Sequence, residues 1–122
     1  MDKYILVYGS LRKGEYNYEY FKQGLEYIKT VEIPNYKLYS LGAYPGIKES
    51  KNSSIICDLM KVTDSKYGDG IHRMELGAGY SYRVINVDGV EAIIYPYEGN
   101  IREEDLVESG DWSKYLKQEE VI

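Results

Sequence analysis

The first regularity along the chain is the apolar run Ile5, Leu6, Val7, which follows polar residues and ends close to a glycine. A short run of this kind, bounded by turn-formers, reads as a buried strand from Lys3 to Val7. Tyr18, Phe21, Leu25 and Ile28 then recur at helical spacing, with Asn17 as an N-cap and Glu19 in the first turn, and predict a helix covering one side of that strand. From Lys29 to Leu41 the pattern becomes extended and is interrupted at Pro34 and Asn35, which predicts two strands joined by a turn, with Val31, Ile33, Leu38 and Leu41 inward. Gly42 to Gly46 and the polar run Lys48 to Ser54 have no periodicity and read as loop. Ile56, Leu59, Met60 and Val62 mark a further strand from Ser54 to Val62.

Between Thr63 and Leu76, Gly68 and Gly70 weaken a helix while Ile71, Met74 and Glu75 keep helical spacing, so a short helix or turn is expected. Tyr80 to Val87 reads as a strand, Asp88–Gly89 as a type I′ hairpin turn, and Val90 to Tyr95 as the returning strand, which Pro96 ends. Asp111 can cap a final helix with Trp112, Tyr115 and Leu116 on one face. Strands outnumber helices and one hairpin is antiparallel, which gives an α+β fold with a curled sheet or small barrel.

Composition narrows the function classes. A length of 122 residues predicts one domain, 1–122. A formal charge of -5 argues against nucleic acid and anionic membrane as partners. With one cysteine, Cys57, no disulfide forms within the chain, and a reducing, cytoplasmic location is expected. No apolar run approaches a membrane span and no leader pattern is seen, so a soluble, unprocessed protein is expected. One Cys and one His, His72, cannot build an N/S-ligated zinc site. The fifteen tyrosines supply apolar faces carrying hydroxyls, suited to filling a core or lining a polar pocket.

The segment Tyr8, Gly9, Ser10, Leu11, Arg12, Lys13, Gly14 directly follows the first strand. A glycine-containing turn there can aim several backbone N–H groups at an anion or a developing oxyanion. Gly9 and Gly14 have the spacing of P-loop glycines, but Glu15 and Tyr16 stand where that motif needs Lys and Ser/Thr. Taken alone, the two glycines read better as an ordinary tight turn. Asp64, Ile71 and Glu75 imitate positions of a calcium loop, yet Lys66 and Gly68 remove ligands and Asp69 replaces the required glycine. A lone His72 reads as filler, and Cys57 as a buried, inert thiol. Tyr8, Tyr82 and Tyr95 lie at predicted strand ends, where pockets gather. Glu75 sits among Ile71, Met74 and Leu76, where partial desolvation would raise its pKa toward a value useful for proton transfer; its bland alternative is a solvated glutamate at a helix end.

With these residues in hand, the chain resembles the γ-glutamylcyclotransferase-like family, also described as avirulence-induced-gene-2-like, and in pattern the γ-glutamylamine cyclotransferase branch. The resemblance rests on Tyr8 to Leu11 followed by Arg12, Lys13, Gly14 and Asn17; Tyr44, Pro45, Gly46; Glu75 followed by Tyr82 and Arg83; Ala92 with Tyr95; and Ser109 to Trp112. It implies a mixed, largely antiparallel sheet curled into a small barrel with flanking helices. It also implies cyclisation of a γ-glutamyl amide or amine to 5-oxoproline with release of the free amine and without a cofactor. The implied site has Glu75 as general acid/base and Tyr8, Gly9, Ser10, Leu11, Tyr44, Tyr82 and Arg83 around the substrate, with Arg12 a further candidate to assist, although Arg12 and Arg83 read equally well as surface ion-pair partners. The loops Gly42 to Ser54 and the segment after Tyr97 are expected to meet the leaving amine. The chain departs from the family pattern at His72, where aspartate is usual, and at Cys57, where glycine is usual. The competing readings are a module that binds a small ligand in the same pocket without turning it over, and a tyrosine-rich protein-interaction domain.

Overall fold

A computed structural model describes residues 3–120. Strand β1 (Lys3–Val7) lies inside the sheet, antiparallel to β3 (Pro45–Val62) and parallel to β5 (Val90–Ile94). Ile5, Leu6 and Val7 are therefore all buried, as an unbroken apolar run requires. The remaining strands are β2 (Leu25–Ser40), β4 (Arg83–Val87) and β6 (Leu106–Val107), in the order β4-β5-β1-β3-β2-β6. Only β1 and β5 run parallel, so the sheet is mixed and largely antiparallel; it curls into a half barrel carrying helices α1 (Tyr16–Phe21), α2 (Ser65–Gly77) and α3 (Trp112–Glu120). No helix among the described residues is long and apolar enough to cross a membrane.

The structure corrects several sequence expectations. The first helix stops at Phe21, and a 3-10 turn at Lys22–Gly24 leads into β2, so Leu25 and Ile28 belong to a strand. Glu15, not Asn17, occupies the N-cap, without a side-chain bond. The expected turn at Pro34–Asn35 is instead a register shift inside one sixteen-residue strand, Asn35 taking φ 72°. The polar run Lys48 to Ser54 is not loop but part of β3: Lys48 and Glu49 pair with Lys37 and Tyr36, and Ser54 with Pro34. Lys48, Glu49 and Ser54 are held in the strand by their partners, whereas Ser50 to Ser53 bulge at the register shift opposite Asn35, with Asn52 at φ 64° and Lys51 and Asn52 exposed, which is why the composition resembles a loop.

Elsewhere local signals prevail. Asp64 caps α2 through Oδ1, which accepts from the Lys66 amide at 3.0 Å. Gly68 suits close packing there, because a Cβ at this position would stand 2.8 Å from Val62 Cγ1. Asp88 (φ 50°) and Gly89 (φ 90°) form the β4–β5 turn. β4 begins only at Arg83, whereas Tyr80 makes an isolated bridge to Tyr97. Asp111 Oδ1 accepts from the Lys114 amide at 3.1 Å at the start of α3, whose buried Trp112 stacks on Tyr115.

Candidate active site

The chain leaves β1 at Val7 and turns sharply. Tyr8 is buried and donates its hydroxyl to the Tyr95 carbonyl at 2.6 Å, fixing the start of the turn to the end of β5. Gly9 passes so near Pro45 that a Cβ would lie 2.8 Å from its ring. The Gly9 carbonyl accepts from the Arg12 amide at 3.0 Å, and the Ser10 carbonyl accepts from the amides of Asn17 and Tyr18 at 3.0 and 3.2 Å. Asn17 Nδ2 also donates to Ser10 Oγ at 2.8 Å. These bonds occupy the carbonyls of the turn, while the amides of Gly9, Ser10 and Leu11 donate to no acceptor among the described residues. Gly14, at φ 94°, serves the tight-turn role that its spacing also allowed.

Arg12 belongs to the anchor of this loop and does not reach the cavity beside it. Its Nη1 donates to Asp111 Oδ1 at 2.8 Å and its Nε lies 3.4 Å from Asp58 Oδ1. Asp58 is buried and also accepts from the Lys13 amide at 2.9 Å and from Thr30 Oγ1 at 2.8 Å. Glu15 Oε2 accepts from Ser113 Oγ at 2.8 Å, so both ends of the loop are tied to the rest of the fold.

The other side of the loop faces a cavity of about 240 Å3. Tyr8, Gly9, Ser10, Leu11 and Tyr44, all expected at the site, line it together with Glu75 from α2. Sequence reasoning did not assign Leu6, Val7, Tyr16, Asn17, Met74, Ala78 or Tyr80 to a site, although they complete it along with Pro45 and Tyr95. The proximity of Met74, Ala78 and Tyr80 to Glu75 in sequence was the available signal.

Burial raises the Glu75 carboxyl to about 7. Burial likewise raises Tyr8, Tyr80 and Tyr95, with the Glu75 charge adding to the shift at each. These tyrosines therefore keep their protons, and Tyr80 donates to the Pro45 carbonyl at 2.6 Å. His72 is not idle filler: its Nδ1 lies 2.9 Å from the Tyr95 hydroxyl and its ring meets Tyr82 edge-on. Cys57 is buried, and burial pushes its thiol well above the ordinary range, as an inert thiol requires.

Two expected site residues are elsewhere. Tyr82 is 50% exposed and packs on His72, outside the cavity. Arg83 begins the edge strand β4, donating to the Tyr82 carbonyl at 3.2 Å and lying 3.9 Å from Glu49. Neither lines the cavity beside the loop amides.

A curled mixed sheet, a strand-ending turn with unpartnered amides and a buried carboxyl raised to about 7 define a small pocket on an α+β scaffold. The chain belongs to the family described as gamma-glutamyl cyclotransferase, AIG2-like, whose model matches residues 5–114. It is 30% identical over 108 residues to the gamma-glutamylcyclotransferase family protein YtfP of Escherichia coli, covering 88% of this chain and 94% of that one. The solution structure of Escherichia coli ytfP superposes with TM-score 0.67 at 28% identity, covering 89% and 95% of the two chains. An uncharacterised Pyrococcus horikoshii protein shares the fold, with TM-score 0.82 at 23% identity over 97% of this chain and 96% of that one.

Proposed function

We propose that the protein cyclises a γ-glutamyl amide or amine to 5-oxoproline and releases the free amine, with Glu75 as general acid/base. The observation that carries this reading is the Glu75 carboxyl, raised to about 7 by burial, on the same cavity as the unpartnered amides of Gly9, Ser10 and Leu11. A carboxyl at that value exchanges protons readily near neutrality.

In a γ-glutamyl substrate the nucleophile arrives tethered, because the α-amine closes a five-membered ring onto its own γ-carbonyl. The chain then needs no nucleophile of its own. The Glu75 carboxylate takes one proton from the α-ammonium, the freed amine forms the new C–N bond, and negative charge gathers on the γ-oxygen. As the bond to the leaving nitrogen breaks, Glu75 returns its proton to that nitrogen, and the second proton of the ring nitrogen passes by way of the same carboxylate to the departing amine, which leaves as the ammonium ion, so the step balances without water, oxidant or cofactor. The loop amides suit the γ-oxygen or the substrate α-carboxylate. The neutral tyrosine hydroxyls around Glu75 add dipoles without adding charge. Cytoplasmic action on a small-molecule substrate is part of this reading, since cysteine usage and charge both fit it.

The test is a panel of γ-glutamyl amines and dipeptides assayed for 5-oxoproline by mass spectrometry, with Glu75→Gln alongside. Product from the wild type and its loss in the variant support the reading. Ligand binding without product from any substrate establishes a non-catalytic binding module, and turnover surviving in Glu75→Gln removes Glu75 from its role.

A further inference from the structure

The site divides into a base and a mouth of different chemistry. Around the loop amides and Glu75 the wall is made by buried Tyr8, Tyr80 and Tyr95. Three other lining residues are largely solvent-exposed: Tyr16 at 71%, Tyr44 at 47% and Met74 at 39%. They come from three separate segments, the start of α1, the β2–β3 connection and α2. Exposed large apolar side chains converging on one cavity are uncommon on a surface carrying this much charge, and they mark a contact for apolar ligand surface. Among the described residues no lysine, arginine or histidine lines the cavity, and Glu75 is its one carboxyl.

A γ-glutamyl group held by the loop amides with its γ-carbonyl near Glu75 occupies the base of a cavity whose whole volume, about 240 Å3, is less than the roughly 300–1,000 Å3 of sites for drug-sized ligands. The leaving amine must then extend through the mouth. A leaving group with a carboxylate, as in a γ-glutamyl amino acid, would bring a second negative charge toward Glu75 with no cation lining the cavity to meet it. An apolar or aromatic amine would instead cover Tyr16, Tyr44 and Met74. Resting on the cyclisation reading, we infer that the preferred substrates are γ-glutamyl amides of apolar or aromatic amines lacking a carboxylate. This revises the expected contacts of the leaving group: of the segment Gly42 to Ser54 only Tyr44 and Pro45 line the cavity, and the segment after Tyr97 contributes nothing.

The experiment compares γ-glutamyl-benzylamide with γ-glutamyl-phenylalanine, which differs chiefly by the carboxylate, and with the γ-glutamyl amide of 1,4-diaminobutane. Release of 5-oxoproline by the wild type is measured, and, where nothing is turned over, binding to the wild type by calorimetry at pH 8, where Glu75 is charged. The expected kcat/KM is at least about tenfold higher for the benzylamide than for either competitor, the size of effect that burying part of a ring supplies. Tyr16→Arg, at an exposed position, is expected to narrow the gap by improving the carboxylate-bearing substrate. Equal or better turnover of either competitor overturns the inference while leaving cyclisation intact. If nothing is turned over, the cyclisation reading fails on its own, and the binding order decides the mouth: benzylamide tightest upholds it, and any other order overturns it.

Discussion

Replacing Glu75 by glutamine keeps the shape of the side chain and removes its titration, so the stability difference between the two proteins isolates one proton. In the folded protein the carboxyl rises from an ordinary 4.5 to about 7 because burial disfavours its charged form. The native state therefore holds this proton more tightly than the unfolded chain does. Its stabilising contribution is fully present below pH 4.5, declines as pH rises, and is lost once pH passes about 7. The full swing is about 3 kcal/mol, at 1.36 kcal/mol for each pH unit between the two values. Urea denaturation of both proteins at several pH values between 4 and 8.5 reads this directly, with the other carboxylates cancelling in the difference. The wild type should lose about 3 kcal/mol relative to Glu75→Gln across that range, at unchanged m-value. A pH-independent difference would mean that Glu75 titrates as an exposed carboxylate, and the argument for its acid/base role would lose its physical basis. A wild type that gains on the variant as pH rises would mean that a cation partners the carboxylate.

On the proposed cyclisation the same proton governs activity. For a γ-glutamyl amide that is turned over, kcat/KM should climb about tenfold per pH unit below 7 and level off above it, because the free carboxylate starts the reaction; a rate independent of pH between 5 and 8 contradicts this. Gly9→Ala forces a methyl to within 2.8 Å of the Pro45 ring, and should cost about 1–3 kcal/mol in denaturation as well as most of the turnover. Arg12→Leu strands the buried Asp58 carboxylate and should destabilise by about 3–5 kcal/mol, whereas Arg12→Leu with Asp58→Asn should recover part of that loss. Tyr8→Phe leaves the Tyr95 carbonyl without its donor and should cost about 1–2 kcal/mol, read by thermal or urea unfolding.

How far the sequence reached follows from how local each cause is. β1, the glycine turn, the Asp88–Gly89 hairpin and the Asp111 cap are each specified within a few residues, and each lies where the local pattern put it. The long β2–β3 hairpin was illegible because its polar stretch becomes a strand through a partner more than ten residues away along the chain. Leu25 and Ile28 continued a helical spacing that the 3-10 turn at Lys22–Gly24 breaks, with Gly24 packed where a Cβ would meet the Tyr67 ring at 2.4 Å. The site divides in the same way. Its loop was visible from its own residues, and the resemblance pointed to Glu75, but the fold alone brings the two to one cavity. Arg12 had two readings beside the glycine turn, a helper for the substrate and an ion-pair partner, and the second holds: its acceptors Asp58 and Asp111 come from distant segments, the latter 99 residues away, and draw it away from the cavity. That diversion has a consequence for the chemistry. With Arg12 committed to two carboxylates and Arg83 on the edge strand, no guanidinium lines the cavity to hold the Glu75 carboxyl down, and burial alone sets its value. The arginines that looked like substrate ligands instead leave the cavity free of positive charge, and a cavity free of positive charge is what keeps a glutamate near neutrality able to take up and return a proton.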